Sequence, residues 1–246
     1  GILLGSAVAA TVTTLLTPAQ VESWGWRVPF LGGILVGLFG LYIRRGLPES
    51  ASFEQVKQAG EVAKIPLVEA FRNNGKQIAQ VAGVCWGFGV LFYLPFVYMP
   101  TYVNTVLDLP MEEALDSNTI GMAALLVLTP VMGAISDTIS RKWFVVAALL
   151  GVSLLSYPLF LWLGHDTFLY VLSAQIAFAV LMAIPEGGLP ALFVEAFDAK
   201  ARYSAFSVAY NISVGLFGGT APLVATWLIS ATGDKFAPAY YLAFAS

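Results

Sequence analysis

The chain has 246 residues, 58% of them hydrophobic and only 11% charged, with a mean hydropathy of +0.78, where a soluble domain uses roughly 25% charged residues. A lipid bilayer is therefore the expected solvent: a buried core in a soluble protein would need polar faces on most helices, and a membrane β-barrel would show short alternating segments. The net charge of −3 says little by itself, and no nucleic-acid partner is expected.

Apolar runs of around 20 residues suffice to cross about 30 Å of hydrocarbon. The sequence supplies them in series at 1–17, 28–43, 78–103, 118–136, 143–163, 167–194 and 204–230, with an eighth starting near Pro238. The first opens at Gly1 without an initiator Met and the last stops at Ser246 after a few residues, so the chain reads as a piece of a longer helical membrane protein. Between the second and third spans lies the longest polar stretch, with Glu49, Glu54, Lys57, Glu61, Lys64, Glu69 and Arg72 arranged around Pro66. Its mixed charges and its proline predict one or two short surface helices broken at Pro66. Such a connector suggests a joint between two bundles, which assigns 1–45 to one bundle, 46–77 to the joint and 78–246 to the other, with the last span truncated.

Basic residues sort by connection. Arg44, Arg45, Lys57, Lys64, Arg72 and Lys76 precede the third span, Arg141 and Lys142 follow the fourth, and Lys200 and Arg202 follow the sixth, ten of the twelve bases. The alternate connections hold Arg27 and Lys235 together with Glu22, Asp108, Glu112, Glu113, Asp116, Asp166 and Asp234. The positive-inside rule then places 44–78, 137–142 and 195–203 in the cytoplasm. Arg27, close after Trp24 and Trp26, reads as an interfacial anchor at the outer mouth. Glycine and proline recur inside the spans, among them Gly83, Gly87, Gly89, Pro130, Gly133, Pro185, Gly187, Gly188, Pro190, Gly215, Gly218, Gly219 and Pro222. Small residues permit close helix contact and prolines bend spans, which suits a body that rocks between states and suits a static channel almost as well.

No soluble-enzyme constellation is present, no cofactor or metal is implied, and no glycine loop ending in Gly-Lys-Ser or Gly-Lys-Thr supplies an ATP-driven motor. The lone cysteine, Cys85, beside Trp86, reads as a packing residue, and His165 with Asp166 as exposed loop residues. Asp137 ends the fourth span while Arg141 and Lys142 open the fifth, a turn that leaves helix-terminal groups exposed and lets the aspartate bond free N–H groups. The two bases lie on the same side as Glu195 and Asp198, so the turn is either a salt-bridged latch between conformations or a plain topological anchor. Glu186, after Pro185 and before Gly187 and Gly188, lies roughly 13 Å of helix from Glu195, well inside the membrane. A carboxylate there is costly unless it faces a cavity or a partner, so Glu186 is the candidate for proton coupling, with a structural bond to a neighbouring helix as the other reading. The third span carries Trp86, Phe88, Phe92, Tyr93, Phe96 and Tyr98, which either pack against lipid and other helices or line a cavity whose ring faces attract a quaternary ammonium. Gln175, Tyr210 and Asn211 are polar enough to bond a solute or another helix. The candidate cavity set is thus Trp86, Phe92, Tyr93, Gln175, Tyr210 and Asn211.

The spacing of Gly133, Asp137, Arg141 and Lys142 resembles the signature loop of the major facilitator superfamily, G-x-x-x-D-x-x-G-R-R/K, with Ser140 in place of the second glycine. More specific are Gly25 through Phe30 (GWRVPF), Arg44 through Ser50 (RRGLPES), Arg202, Tyr203 and Ser204, Tyr210 and Asn211, Phe217 through Pro222 (FGGTAP) and Pro238 through Tyr241 (PAYY). Together they resemble that superfamily's metabolite:proton symporter branch of proline/betaine, citrate, 2-oxoglutarate and shikimate permeases. The resemblance covers nearly the whole chain and implies an all-α major facilitator fold from the family's fifth span into its twelfth, with 1–45 closing the N-terminal bundle. Without the first four spans the 246 residues are expected not to transport alone.

Glu195, Ala196, Phe197 and Asp198 stand where the family has E-L-F-P before an R-Y pair, so the resemblance keeps the acid and changes how the helix ends. The implied latch comprises Gly133, Asp137, Arg141, Lys142, Glu195 and Arg202, with Glu195 paired to Arg141. The implied function is proton-coupled symport of a small polar solute by alternating access in a bacterial inner (plasma) membrane. Expected partners are that solute, a proton, the bilayer and the remaining spans of the same protein. A zwitterionic osmolyte such as proline or betaine leads over mono-, di- or tricarboxylates, because the spans of 78–246 hold no mid-membrane Lys or Arg, although the absent spans can supply one. A membrane sensor or structural protein of the same fold, or a channel, is the reading from another class.

Overall fold

The structure is a computed structural model that describes residues 8, 11, 12, 15–46, 54, 66–165, 167–197 and 202–246. Among these, every regular element is a helix, and six helices are long and apolar enough to cross a membrane. The protein is thus an all-helical, polytopic membrane protein. Its chain divides into two compact units, Gly1–Gln58 and Ala59–Ser246.

In the first unit a short turn, Pro18–Gln20, leads through a π-helical turn, Val21–Gly25, into α1, Arg27–Gly46. The Thr17 N–H donates to Gln20 Oε1 at 2.9 Å and the Gln20 N–H to Thr17 Oγ1 at 3.4 Å, a reciprocal cap that satisfies amides orphaned at a helix start. The Arg27 guanidinium lies 4.3 Å from the Trp26 ring centroid and donates to the Ser23 carbonyl at 2.6 Å, so its charge is held by its own helix entrance. Helix α1 exposes Phe30, Leu35 and Tyr42, an apolar surface suited to lipid or further spans. Most of the expected 1–17 span lies outside the described residues.

In the second unit helix α2 is described over Pro66–Tyr93, and residues 55–65 just before it lie outside the described residues. Within it the chain bends at Asn74, whose backbone leaves helical geometry (φ −125°, ψ 22°) and whose side chain is buried. Of the 46–77 connector, the stretch from Pro66 is therefore continuous with the third span, and most of the rest lies outside the described residues.

A π turn, Leu94–Tyr98, joins α2 to α3, Met99–Thr105. Then follow α4, Met111–Ser136; α5, Arg141–Leu163; and α6, Phe168–Glu195. The next span is α7, Arg202–Ile212, a second π turn, Ser213–Gly218, and α8, Gly219–Thr232; α9, Ala237–Ala245, is the last element. Both π turns of this unit lie just ahead of a proline. Pro100 lacks the N–H that would serve the Phe96 carbonyl in an α-helix, and Pro222 lacks the one for Gly218, so the backbone widens where the ladder is broken. Helix α8 ends on Gly233, whose φ of +70° is left-handed and whose N–H caps Ile229 O at 2.9 Å, an ending that glycine makes without strain.

Helix α6 is the centre of this unit and packs against α4 and α5, while α2 packs against α7 and the second π turn. Close approach depends on small residues, as expected where lipid and side chain are equally apolar. A Cβ on Gly187 would lie 2.5 Å from Gly133 N, and one on Gly87 would lie 2.5 Å from Ala245 O. At one end of the unit Gln77, Lys142, Phe193 and Ala196 line a common groove. At the other end the Tyr102 hydroxyl donates to Lys235 O at 2.9 Å and the Phe236 ring covers Gly164.

Candidate functional site

The run Pro185, Glu186, Gly187, Gly188 sets the site by turning successive residues of α6 to different neighbours, about 100° apart. Gly187 receives α4, and a Cβ on Gly188 would meet Val145 Cγ2 of α5 at 3.3 Å. Glu186 is thereby aimed away from both, into a cavity of about 160 Å³ lined by Phe88, Gly89, Phe92 and Tyr93 of α2, Tyr210 of α7 and Val214 of the second π turn. The opposite wall closes because Gly89 and Gly218 meet: a Cβ on Gly89 would lie 3.4 Å from Gly218 Cα, and one on Gly218 only 2.9 Å from Tyr93 Cδ2. Glu186 is half-buried and makes no hydrogen bond or ion pair among the described residues. The lining contains one carboxylate, four aromatic rings and no Lys, Arg or His. Such a space attracts a cation by charge and by the negative ring faces.

The structure thus gathers Glu186, Phe92, Tyr93 and Tyr210 and leaves three expected cavity residues elsewhere. Trp86 is stacked on Phe217, with centroids 4.8 Å apart and planes at 28°, and packs edge-on to Phe244. Gln175 is fully buried and donates from Nε2 to Asn118 Oδ1 at 3.1 Å. Asn211 is exposed and returns its Nδ2 to the Ser207 carbonyl one turn earlier, at 2.8 Å. Phe88, a lining residue outside the expected set, stands four residues before Phe92 and so shares its helix face. No cluster of His, Cys, Asp and Glu among the described residues is placed to hold a metal ion.

The charged turn lies beneath the Gly133–Gly187 crossing. Arg141 pairs with Asp137 at 2.6 Å and with Glu195, tying the end of α4 and the start of α5 to the end of α6. Asp137 spends its carboxylate on Arg141, and no described bond links it to the amides opening α5. Ser140 sits at φ −65°, ψ 108°, ordinary extended backbone, so the turn asks nothing there that only glycine provides. Lys142 is directed to the Trp143 ring, 5.6 Å from its centroid, and Arg202 Nε donates to the Phe197 carbonyl at 3.1 Å. Among the described residues neither base joins the ion pairs of Arg141. Asp198 lies outside the described residues. Gly187→Ala, which drives a methyl against backbone that cannot rotate aside, is expected to destabilise the bundle by roughly 1–3 kcal/mol, read as a lowered melting temperature in detergent; Gly215→Ala, with open space at its Cβ, should leave that temperature unchanged.

The cavity lies within a bundle of membrane-length helices, so the chain is a multi-pass membrane protein. Over 243 residues it is 36% identical to a putative proline/betaine transporter of Staphylococcus aureus (strain COL), an alignment that covers 98% of this chain and 52% of the relative. It is 33% identical over 242 residues to a putative proline/betaine transporter of Staphylococcus haemolyticus, covering 98% and 52%. To the glycine betaine/proline/ectoine/pipecolic acid transporter of Dickeya dadantii it is 31% identical over 251 residues, covering 98% and 50%. The chain spans about half the length of the curated relatives it matches. No family model matches it, and no solved structure does. The membrane-length helices and the bacterial relatives make it a multi-pass protein of the bacterial inner (plasma) membrane.

Proposed function

We propose that the chain belongs to a proton-coupled secondary transporter of the major facilitator superfamily that takes up a zwitterionic osmolyte such as glycine betaine or proline by alternating access. In this reading 1–45 closes the N-terminal bundle, 46–77 is the cytoplasmic connector and 78–246 is the C-terminal bundle. The observation that carries the solute class is the lining of the cavity, a carboxylate and aromatic rings without a base. An onium group gains from ring faces and from negative charge, whereas a di- or tricarboxylate would bring like charge to Glu186. The names of the relatives support the same solute class.

Glu186 is then the proton-coupling group. A half-buried carboxylate facing a cavity can accept a proton in one conformation and release it in the other, and its exposure is what alternating access changes. The Arg141 ion pairs hold α4, α5 and α6 together at the cytoplasmic end and part or re-form as the bundles rock.

The test is uptake of radiolabelled betaine, proline and citrate by the whole protein in liposomes, with and without an inward proton gradient. Saturable betaine or proline uptake that the gradient accelerates is expected; gradient-driven citrate uptake alone would overturn the solute class, and unsaturable flux the transporter reading.

A further inference from the structure

Asn118 and Gln175 form a polar relay inside the bundle that ends on the backbone of the Leu94–Tyr98 π turn. Gln175 Nε2 donates to Asn118 Oδ1 at 3.1 Å, and Asn118 Nδ2 donates at 3.2 Å to the carbonyl of Phe96. That carbonyl is the one whose α-helical partner would be residue 100, and Pro100 has no N–H to give. The relay therefore serves a carbonyl freed by the proline, as must happen for backbone buried at membrane depth. Gln175 is fully buried and its Oε1 has no donor, so the bond to Asn118 is its only described one. Gly121 makes the approach possible, since a Cβ there would press on Gln175 Cβ at 3.3 Å.

The π turn in turn carries the cavity wall. The Phe96 ring, 2% exposed, lies 5.9 Å from the Phe92 ring, and Phe92 lines the cavity with Glu186. We propose that Asn118 and Gln175 are positioning residues: they hold the Leu94–Tyr98 turn, and through Phe96 they fix Phe92 against the solute site without touching solute themselves. The effect on transport rests on the osmolyte-transporter reading; the effect on the turn does not.

The experiment compares Asn118→Leu, Gln175→Leu, the double variant and the exchanged pair N118Q/Q175N in the whole protein, with two readouts. Amide hydrogen exchange over residues 94–103 is expected to quicken about fivefold or more in each single Leu variant, because the turn loses its anchor. Betaine uptake is expected to show KM raised roughly three- to tenfold with Vmax retained, the scale on which a residue acts through a neighbour. The double variant should cost less than the sum of the singles, and the exchanged pair, which keeps both amides, should recover KM. Unchanged exchange in the single variants overturns the proposal whatever transport does. Quickened exchange with KM unchanged overturns the link to the solute site. Absence of uptake by the unmodified protein would instead strike at the transporter reading, and hydrogen exchange would still decide whether the relay holds the turn.

Discussion

Uptake by a Glu186→Gln variant of the whole protein is expected to lose its response to an imposed pH gradient and to fall at least about tenfold, a transition-state cost of roughly 1.4 kcal/mol, while solute counterflow between equal pools persists. Glutamine has nearly the shape of a protonated glutamate and cannot give up a proton. A site whose proton travels with the solute would then stay loaded: solute could exchange across the membrane, but the empty carrier could not reset by releasing its proton. Phe88, Phe92, Tyr93 and Tyr210, which surround Glu186, would still hold the onium group by their ring faces. Counterflow therefore separates two roles that uptake alone confuses. If counterflow disappears together with uptake, Glu186 is the counter-charge of the solute and the proton binds elsewhere. If uptake keeps its full pH response, Glu186 has no part in coupling. Phe92→Ala provides the complementary case: affinity for betaine should drop about tenfold, within the range of one desolvated cation–π contact, with the pH response retained.

The bilayer, the spans and the sorting of bases by connection were legible because each depends on composition over many residues, and composition survives ignorance of which way a side chain faces. Facing was where legibility failed. Helices such as α4, α5 and α6 are apolar all round, so no polar stripe marks the side turned inward. Gln175 and Asn211 therefore looked equivalent to Tyr210, yet one is sealed against Asn118, another lies exposed on its own helix, and Tyr210 reaches the cavity. Helical spacing did not separate Trp86 from Phe92 either: the two lie about 120° apart around α2, less than the roughly 140° between Phe88 and Tyr93, which both line the cavity; only the shared face of Phe88 and Phe92 was readable from the sequence. Glu186 was found from chemistry alone, since a carboxylate at depth demands a reason. Its direction was set by Gly187 and Gly188, which mark the sides that neighbouring helices approach.

The ion pairs of Arg141 allow a second demanding test. Arg141 is shared by Asp137, four residues earlier and on the same helix-to-helix turn, and by Glu195 at the end of α6. Arg141→Glu should place three carboxylates together and cut transport by about tenfold or more; at exposed sites single pairs are weak, so an effect of this size would reflect a conformational equilibrium and not merely lost stability. Glu195→Arg should act in the same direction by leaving two bases opposed. The double reversal R141E/E195R is expected to regain only part of the activity, because Asp137 still repels the carboxylate introduced at 141. Adding Asp137→Asn removes that repulsion, so the triple variant should recover more than the double. Lys142→Ala and Arg202→Ala should each have little effect on this cycle, since neither base meets Glu195 or Asp137 in the structure. Transport rates measured with membrane abundance held equal check the set. A triple variant no better than the double would remove Asp137 from the latch, and single reversals without effect would reduce the turn to an anchor that sets topology.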